Sequence, residues 1–570
     1  MSTAGLFAHH PAVPMMLELD AAGLVSTSTT FQGLGVDVRA GGRAAALQTD
    51  GLLATLLAPP PAAVGSCTEL QHASVLAGGV MRLWASSVTR YNTGVDDLNA
   101  RYEAAAGSRF GVEEPAEGVD DTHDVAGARA ALVAQLQREE AVLADTLDDE
   151  GDDQAAMLDA GPDEATMREL AEAGALMLPE LGLAGLDAGD VDIAAMIAAM
   201  QRNGVVPEDV DPAAVEDASE ALRRLLDEDD YGVNGNRDDL QRVLEAMRGL
   251  GPDGAGIEFV LAQFSDDELR RWHEMNTDEG GFLWNHHGLE HWDNIDLNTV
   301  VLTGADQALL DRLSRLWPGI NPDVSGVDGD QASDENPSAE SPEWGPPPAD
   351  RHLFEDSDGN PQTDADGVDQ GALGDCWMLA KTGALAEGDD SWVTDHVQEN
   401  DNGTIAVTMY DDDGNPHRVT VTRDLPLDED GQPKYGSENS DTPLWNGYYE
   451  KAFALASQHG SDGEDGYGGI EGGWADSDAQ LMTGHDADDL GADASDVQEA
   501  HEEGRPVVVT TEDDDWDREG FHGLHAYHLR GYDSDGNLIL VNPWGEEEPE
   551  LVVSPEEFED HFSGAAALNR

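Results

Sequence analysis

Gln370-Gly371-Ala372-Leu373-Gly374-Asp375-Cys376-Trp377-Met378-Leu379-Ala380 is the stretch from which the fold can be read. Turn-forming Asp and Gly residues end in it. Apolar residues at Trp377, Leu379, Ala380, Ala384 and Leu385 then take up a helical spacing, which predicts a helix with Cys376 at its N-terminus. Free N–H groups and the positive end of the helix dipole stabilise an anion there, so the position is expected to lower the thiol pKa toward the nucleophilic thiolate. A thiolate that attacks a carbonyl needs a base, a group to orient the base, and donors for the developing oxyanion. Gly523-Leu524-His525-Ala526-Tyr527-His528-Leu529 offers an imidazole in a strand-like run, and Ile539-Leu540-Val541-Asn542-Pro543-Trp544-Gly545 ends a second strand with an amide. Asp533-Ser534-Asp535-Gly536-Asn537 reads as the tight turn that joins them into a hairpin. In that hairpin the Asn542 oxygen would accept from the second ring nitrogen of His525 and fix its tautomer, with Trp544 covering the bond. Gln370 would aim a side-chain N–H at the oxyanion beside the Cys376 backbone N–H. His522 and His528 are the rivals of His525; alternation along the strand puts His528 on the opposite face from it.

At these residues the chain resembles the calpain family: Gln370-Gly-x-Leu-Gly-Asp-Cys-Trp, then Gly-x-His-Ala-Tyr, then Asn-Pro-Trp-Gly. The order Gln, Cys, His, Asn is also that of the wider papain-like group. Trp445-Asn446-Gly447-Tyr448-Tyr449-Glu450-Lys451-Ala452-Phe453 is similar to the family's Trp-x-x-x-x-Glu-Lys-Ala-Tyr helix, and Tyr467 to Gly473 to its glycine-rich loop. The resemblance covers roughly Arg351 to Arg570. It implies an α+β class: a C-terminal papain-like, two-lobe cysteine peptidase preceded by an all-α N-terminal half. The helical lobe would contribute Cys376, and the antiparallel sheet lobe His525 and Asn542. It further implies an endopeptidase that acts on protein substrates through a Cys thioester. A transglutaminase or other acyltransferase with the same triad, and an inert peptidase-fold scaffold, are the alternatives. The chemistry requires no cofactor. Members of the family bind calcium near the catalytic loop through an acidic residue nine positions before the Cys. Gly367 stands there, so calcium is carried forward only as a candidate regulator, its ligands unassigned.

Composition narrows the partners. With 118 Asp+Glu against 29 Lys+Arg, the formal net charge is −89. A phosphate backbone would be repelled, and no basic stripe is visible, so nucleic acid is excluded as a partner. Lysine occurs only at Lys381, Lys434 and Lys451; an acid-rich, lysine-poor chain suits concentrated salt, which screens self-repulsion. Two cysteines, Cys67 and Cys376, rule out a disulfide framework and a cysteine-rich zinc site, and a bond between them would inactivate the nucleophile. The opening Met1-Ser2-Thr3-Ala4-Gly5-Leu6-Phe7-Ala8-His9-His10-Pro11 lacks the basic and apolar regions of a signal peptide, and the apolar run near Leu52 to Leu57 stops at Pro59-Pro60-Pro61. The expectation is a chain without a membrane span, cytoplasmic or secreted without a Sec signal.

The expected organisation is a helical N-terminal domain at 1–150, an acidic spacer at 151–230, a helical domain at 231–322, a Pro/Gly/Asp-rich linker at 323–350 and the peptidase at 351–570. Val80, Trp84, Val88, Tyr91, Val95, Leu98 and Tyr102 form one face of a long helix, and a second helix from about Val125 to Leu147 would turn Leu132, Leu136, Val142 and Leu143 inward against it. Leu83 to Asn92 followed by Val95-Asp96-Asp97-Leu98-Asn99 resembles the helical leader regions of actinobacterial proteins exported by type VII secretion, although Ala85-Ser86 follows Trp84 where a Trp-x-Gly turn belongs. That resemblance implies the type VII machinery as a partner. Pro162, Pro179, Pro207 and Pro212 break the spacer into short helices, and Ser265 with Glu268 forms a capping box. His286, His287 and His291 invite a metal but lack a third ligand at helical spacing, and are read as surface or interface residues. Asp356-Ser357-Asp358-Gly359-Asn360 recurs in form at Asp411 and Asp533 beside strands, which favours turns over calcium loops. Runs at Thr404 to Tyr410 and His417 to Arg423 alternate as strands and are expected to join the His525 and Asn542 strands in one sheet.

The charge generates a direct prediction. The Debye length falls from about 10 Å at 0.1 M salt to about 3 Å at 1 M, so the melting temperature should rise across that range. A flat or falling melting curve would remove the salt-adaptation reading.

Overall fold

The computed structural model describes residues 6–12, 22, 26, 61–112, 122–227, 235–277, 289–324, 327, 342–389, 391–457, 466–512, 516–545 and 548–569. His286, His287 and most of the 323–350 stretch lie outside them, as does the Cys67 side chain. The chain forms two compact units, residues 1–216 with 259–264, and 217–258 with 265–570.

In the first unit, α1 (Pro61–Gly107) and α2 (Thr122–Ala160) pair as an antiparallel hairpin. The bonds that cross it run in opposite directions along the two helices: Ser87 with Gln154 at 3.1 Å, Arg90 with Glu150 at 2.8 Å, Tyr91 with Glu140 at 3.1 Å and Tyr102 with Arg129 at 3.0 Å. Leu136 and Leu147 are buried on this seam, but Val142 is 64 % exposed. The inward stripe passes through Leu136, Leu143 and Leu147 at steps of seven and four, which turns Val142 outward. Three short helices follow, α3 (Glu164–Glu172), α4 (Leu178–Ala184) and α5 (Ile193–Arg202). Asp163 caps α3 and Pro179 lies in the first turn of α4. In the stretch expected as a spacer Met167, Leu170, Met196 and Ile197 are fully buried, and Leu170 packs against Gly79 of α1.

Helices α6 (Pro212–Asp227) and α8 (Ile257–Leu261) straddle the division, with α7 (Gly235–Arg248) between them. The second unit continues through α9 (Asp266–Thr277), α10 (His291–Gly304) and α11 (Gln307–Leu316). The Ser265/Glu268 box opens α9 as expected, the Ser265 N–H donating to the Glu268 carboxylate at 2.8 Å.

Three antiparallel sheets follow. β1 (Glu343–Gly345) pairs with β5 (Leu425–Leu427). β2 (Val397–Glu399), β3 (Ile405–Tyr410) and β4 (Pro416–Val421) form a three-stranded sheet in that order. The third sheet has the order β10-β9-β8-β7-β11-β6, from β6 (Asp488–Asp489), β7 (Val507–Thr511), β8 (Ala526–Tyr532), β9 (Leu538–Val541), β10 (Leu551–Val553) and β11 (Phe562–Ala567). The expectation of a single sheet is therefore corrected: β3 and β4 stand apart from the His525 and Asn542 strands. What holds them apart is the partner on their edge. The Thr299 hydroxyl of α10 donates to the Arg418 carbonyl at 2.5 Å and accepts from the Thr420 N–H at 3.2 Å, so a helix occupies the edge of β4 where another strand would add.

Among the described residues six α-helices complete the unit: α12 (Cys376–Gly388), α13 (Trp392–His396), α14 (Trp445–Ala456), α15 (Ala479–Thr483), α16 (Ala494–Glu502) and, before the last strand, α17 (Pro555–His561). The six-stranded sheet is buried on both faces. Val508, Ala526 and Ala566 join the core of α12 and α14, while Val507, Val509, Tyr527 and Leu529 join a second core with α16 and α17. Asp356, Asp411, Asp428 and Asp533 each open the same five-residue turn, accepting backbone N–H bonds two and four residues on. The turns at Asp356, Asp411 and Asp533 are those that their sequence form led one to expect, and Asp428 adds a fourth.

Thr299→Val keeps the shape of the α10–β4 contact and removes its hydroxyl, leaving a buried carbonyl and N–H unpaired. The expected loss of stability is about 1–3 kcal/mol, seen as a lower urea midpoint at unchanged slope.

Candidate active site

Cys376 is the first residue of α12 and is half-buried. The Asp375 carbonyl accepts from Met378 and Leu379 N–H to start the helix, at 2.9 and 3.1 Å. The loop before it is pinned on both sides. Gln370 N–H donates to the Pro543 carbonyl at 2.8 Å, and Ala372 N–H to the Lys434 carbonyl at 3.0 Å. Gly371 passes so close to that segment that a Cβ would lie 2.4 Å from the Tyr435 carbonyl oxygen, hence a glycine here. The glycine-rich loop forms the next wall: Gly472 N–H reaches the Gly374 carbonyl at 2.9 Å, and the Trp377 indole N–H donates to the Ile470 carbonyl at 3.0 Å.

From the sheet side, β8 and β9 pair as the expected hairpin, with His528 opposite Val541. His525 and Asn542 sit just beyond the paired ends. His525 Nε2 donates to Asn542 Oδ1 at 2.8 Å, which leaves Nδ1 as the basic nitrogen. Thr511 fixes the His525 backbone, its hydroxyl accepting the His525 N–H at 2.9 Å. The Trp544 ring lies 4.8 Å from the His525 ring, and Trp544 N–H also donates to Asn542 Oδ1. The next residue of the strand closes the constellation: the Ala526 N–H faces the Cys376 sulfur and favours its anion. Gln370 is buried beside them, its amide Nε2 donating to the Leu373 carbonyl at 2.6 Å, which uses one of its two hydrogens.

His528 is separated from Cys376 for a reason other than the face it was assigned. Alternation carries Ala526 and His528 together toward α12, where His528 packs at Gly383 and comes within 3.9 Å of Glu387. His525 precedes the ladder, after Leu524 at φ 53, so strand alternation does not govern it. His522 lies 3.6 Å from Glu548 and donates its backbone N–H to the Tyr527 hydroxyl. An open depression of ≈ 770 Å³ beside His525 is lined by Trp516, Arg518, Phe521, His522, Leu524 and Trp544.

The electrostatics correct the expectation of a lowered thiol pKa. Burial pushes the Cys376 thiol up to about 11, and only then does the Ala526 N–H pull it down. Burial pushes His525 down to about 4, against the opposing bond from Asn542. Each charge alone is therefore unfavourable here: burial holds the thiol and the imidazole toward their neutral forms.

Sequence reasoning missed the buried ionisable groups around the helix. Asp375 is fully buried, with both carboxyl oxygens unpartnered, and burial followed by the nearby Glu471 pushes it up to about 8. Glu450 on α14 is raised by burial and then by Asp375, and accepts the Gly436 N–H at 2.6 Å. Lys381, in the middle of α12, is fully buried. The Gly-Asp-Cys and Glu-Lys pairs were in view, but only burial gives them their protonation states.

Residues for a calcium ion near the loop do not fit. At Gly367 even a Cβ would lie 2.8 Å from Trp445 Nε1 and 2.9 Å from the Gln362 carbonyl oxygen, so no carboxylate can enter. Among the described residues no three His, Cys, Asp or Glu side chains gather to hold a metal, and His291 instead bonds the Ala456 carbonyl at 2.9 Å. Among them, too, no helix is long and apolar enough to cross a membrane.

No curated protein matches the chain. Residues 349–550 match the family model described as calpain family cysteine protease. The span that builds the Cys376 site is thus a cysteine protease domain of the calpain family.

Proposed function

We propose that the chain is a cysteine endopeptidase in which Cys376 is the nucleophile, His525 the base and acid, Asn542 the orienting group and Gln370 an oxyanion donor. The observation that carries this reading is the 2.8 Å His525–Asn542 bond, made by the residue whose neighbour's N–H meets the Cys376 sulfur. Moving the thiol proton to His525 Nδ1 gives a thiolate that attacks the scissile carbonyl carbon. The imidazolium then protonates the leaving amine as the thioester forms. Water, losing its proton to His525, releases the acid and restores the thiol. The developing oxyanion is met by the Cys376 N–H, which opens α12 and has no partner within it, and by the second hydrogen of Gln370 Nε2.

Iodoacetamide or an epoxide inhibitor of the E-64 type should label Cys376 in preference to Cys67, and Cys376→Ala should abolish casein cleavage; unchanged cleavage sinks the reading. Asn542→Ala should reduce turnover far less than loss of the thiol. The pH profile follows from the sign of each shift. Below about pH 4 His525 takes up a second proton and activity falls, whereas the alkaline limb waits for loss of the shared proton toward about 11. An acid limb near the ordinary histidine value would contradict a buried His525.

The further proposal that the peptidase acts outside the producing cell as an effector rests on the α1–α2 hairpin and its resemblance to type VII leaders. Comparing culture supernatants of producers with and without that apparatus tests it. Retention in both strains rejects it.

A further inference from the structure

Lysine is almost eliminated from this chain, with three residues against 118 acids. None of the three is exposed, and Lys381 and Lys451 are completely buried. Lys451 has an architectural explanation: its ammonium bonds the carbonyls of Thr422 and Asp424 and the Thr422 hydroxyl, tying α14 to the segment after β4. Lys381 is different. It lies five residues after Cys376 on the same helix, and its Nζ donates to the Trp377 carbonyl at 3.3 Å and to the Trp474 carbonyl at 3.2 Å. The ammonium also stands 4.2 Å from the centre of the Trp377 ring. No carboxylate comes within 4 Å of it among the described residues. A buried ammonium satisfied by carbonyls and a ring face, without a counter-ion in contact, leaves its field free to act on its surroundings.

We propose that Lys381 is a positioning residue of the Cys376 site, which holds the Gly472–Trp474 wall against the first turn of α12 and supplies the positive charge that favours the Cys376 thiolate. The inference rests on Cys376 being the nucleophile. The wall borders that residue directly, since Gly472 bonds Gly374 two positions before it. Trp474, whose carbonyl Lys381 grips, is itself 66 % exposed. The charged and titratable groups facing the pair are Asp375, just before α12, and Tyr527 from the sheet at Cys376, and Asp476 and Asp478 from the loop into α15 at Lys381, with Glu471 acting on Asp375. The acids of the loop hold the ammonium charged against the burial that brings it down to about 7, and Lys381 in turn lowers the Cys376 thiol.

Lys381→Met in the full chain keeps the apolar stem and removes the charge, while Lys381→Arg keeps the charge. Alkylation of Cys376 by iodoacetamide, followed by mass spectrometry across pH, reads the thiol without requiring peptide hydrolysis. The expected result for Lys381→Met is about tenfold slower alkylation below pH 7, where the Lys381 ammonium is charged. A raised KM for peptide substrates should accompany it as the Trp474 wall loosens, and Lys381→Arg should recover the alkylation rate at least in part. A folded Lys381→Met protein with an unchanged alkylation rate below pH 7 overturns the proposal. If that variant does not fold, the wild-type chain still decides. Lysine labelled with 13C at Cε gives three signals; the Lys381 signal should titrate near pH 7, and the pH dependence of Cys376 alkylation should break at that same pH, whereas a curve without a break there overturns the coupling. Failure of the peptidase reading would appear separately, as casein cleavage surviving Cys376→Ala.

Discussion

At Gly383 helix α12 lies so close to β8 that a Cβ there would come 2.7 Å from His528 Nδ1. That approach sets the distance between the two halves of the site. The thiol is one and a half to two turns before it on the helix, and the imidazole three residues before His528 along the strand. A residue larger than glycine at the contact would push the helix outward and part Cys376 from the Ala526 N–H. The sheet can accept a helix this closely because its face toward α12 is built from small and β-branched residues, Val508, Ala526 and Ala566.

Burial at this contact also governs the chemistry. It disfavours the charged form of the thiol and of the imidazole when each is considered alone, and it keeps Asp375 and Glu450 toward their neutral forms. Under the reaction proposed above, the charges that appear are those made by moving one proton, and fixed N–H dipoles meet them. A low-dielectric setting amplifies such dipoles and penalises a misplaced charge.

Much of this arrangement was legible in the sequence. The hairpin of β8 and β9 follows from two alternating runs around Asp533-Ser-Asp-Gly-Asn, and the helix start at Cys376 from the change from turn residues to a helical apolar period. The placing of Asn542 beside His525 followed from that hairpin. Properties that depend on distant packing were not legible. Nothing in the alternation of β3 and β4 says that α10 lies along their edge through Thr299, and the helix periodicity that placed Val142 inward failed because two neighbouring apolar residues cannot both face one seam. The direction of the thiol pKa shift escaped for the same reason. A helix terminus can be read locally, whereas desolvation is contributed by residues a hundred positions away.

The four turns opened by Asp356, Asp411, Asp428 and Asp533 bear on how a chain with 29 basic residues organises 118 acidic ones. In each, the carboxylate is held by N–H donors two and four residues on, and in the Asn-ended copies by the Asn side chain as well; Asn415 holds Asp411 down to about 2. A cation from elsewhere in the protein is not needed to close them. The turn is thus a self-contained clasp that carries negative charge to the surface and fastens its own loop. Such a clasp can be copied from hairpin to hairpin without designing a partner for it, and a surface can grow more acidic this way without its loops coming loose.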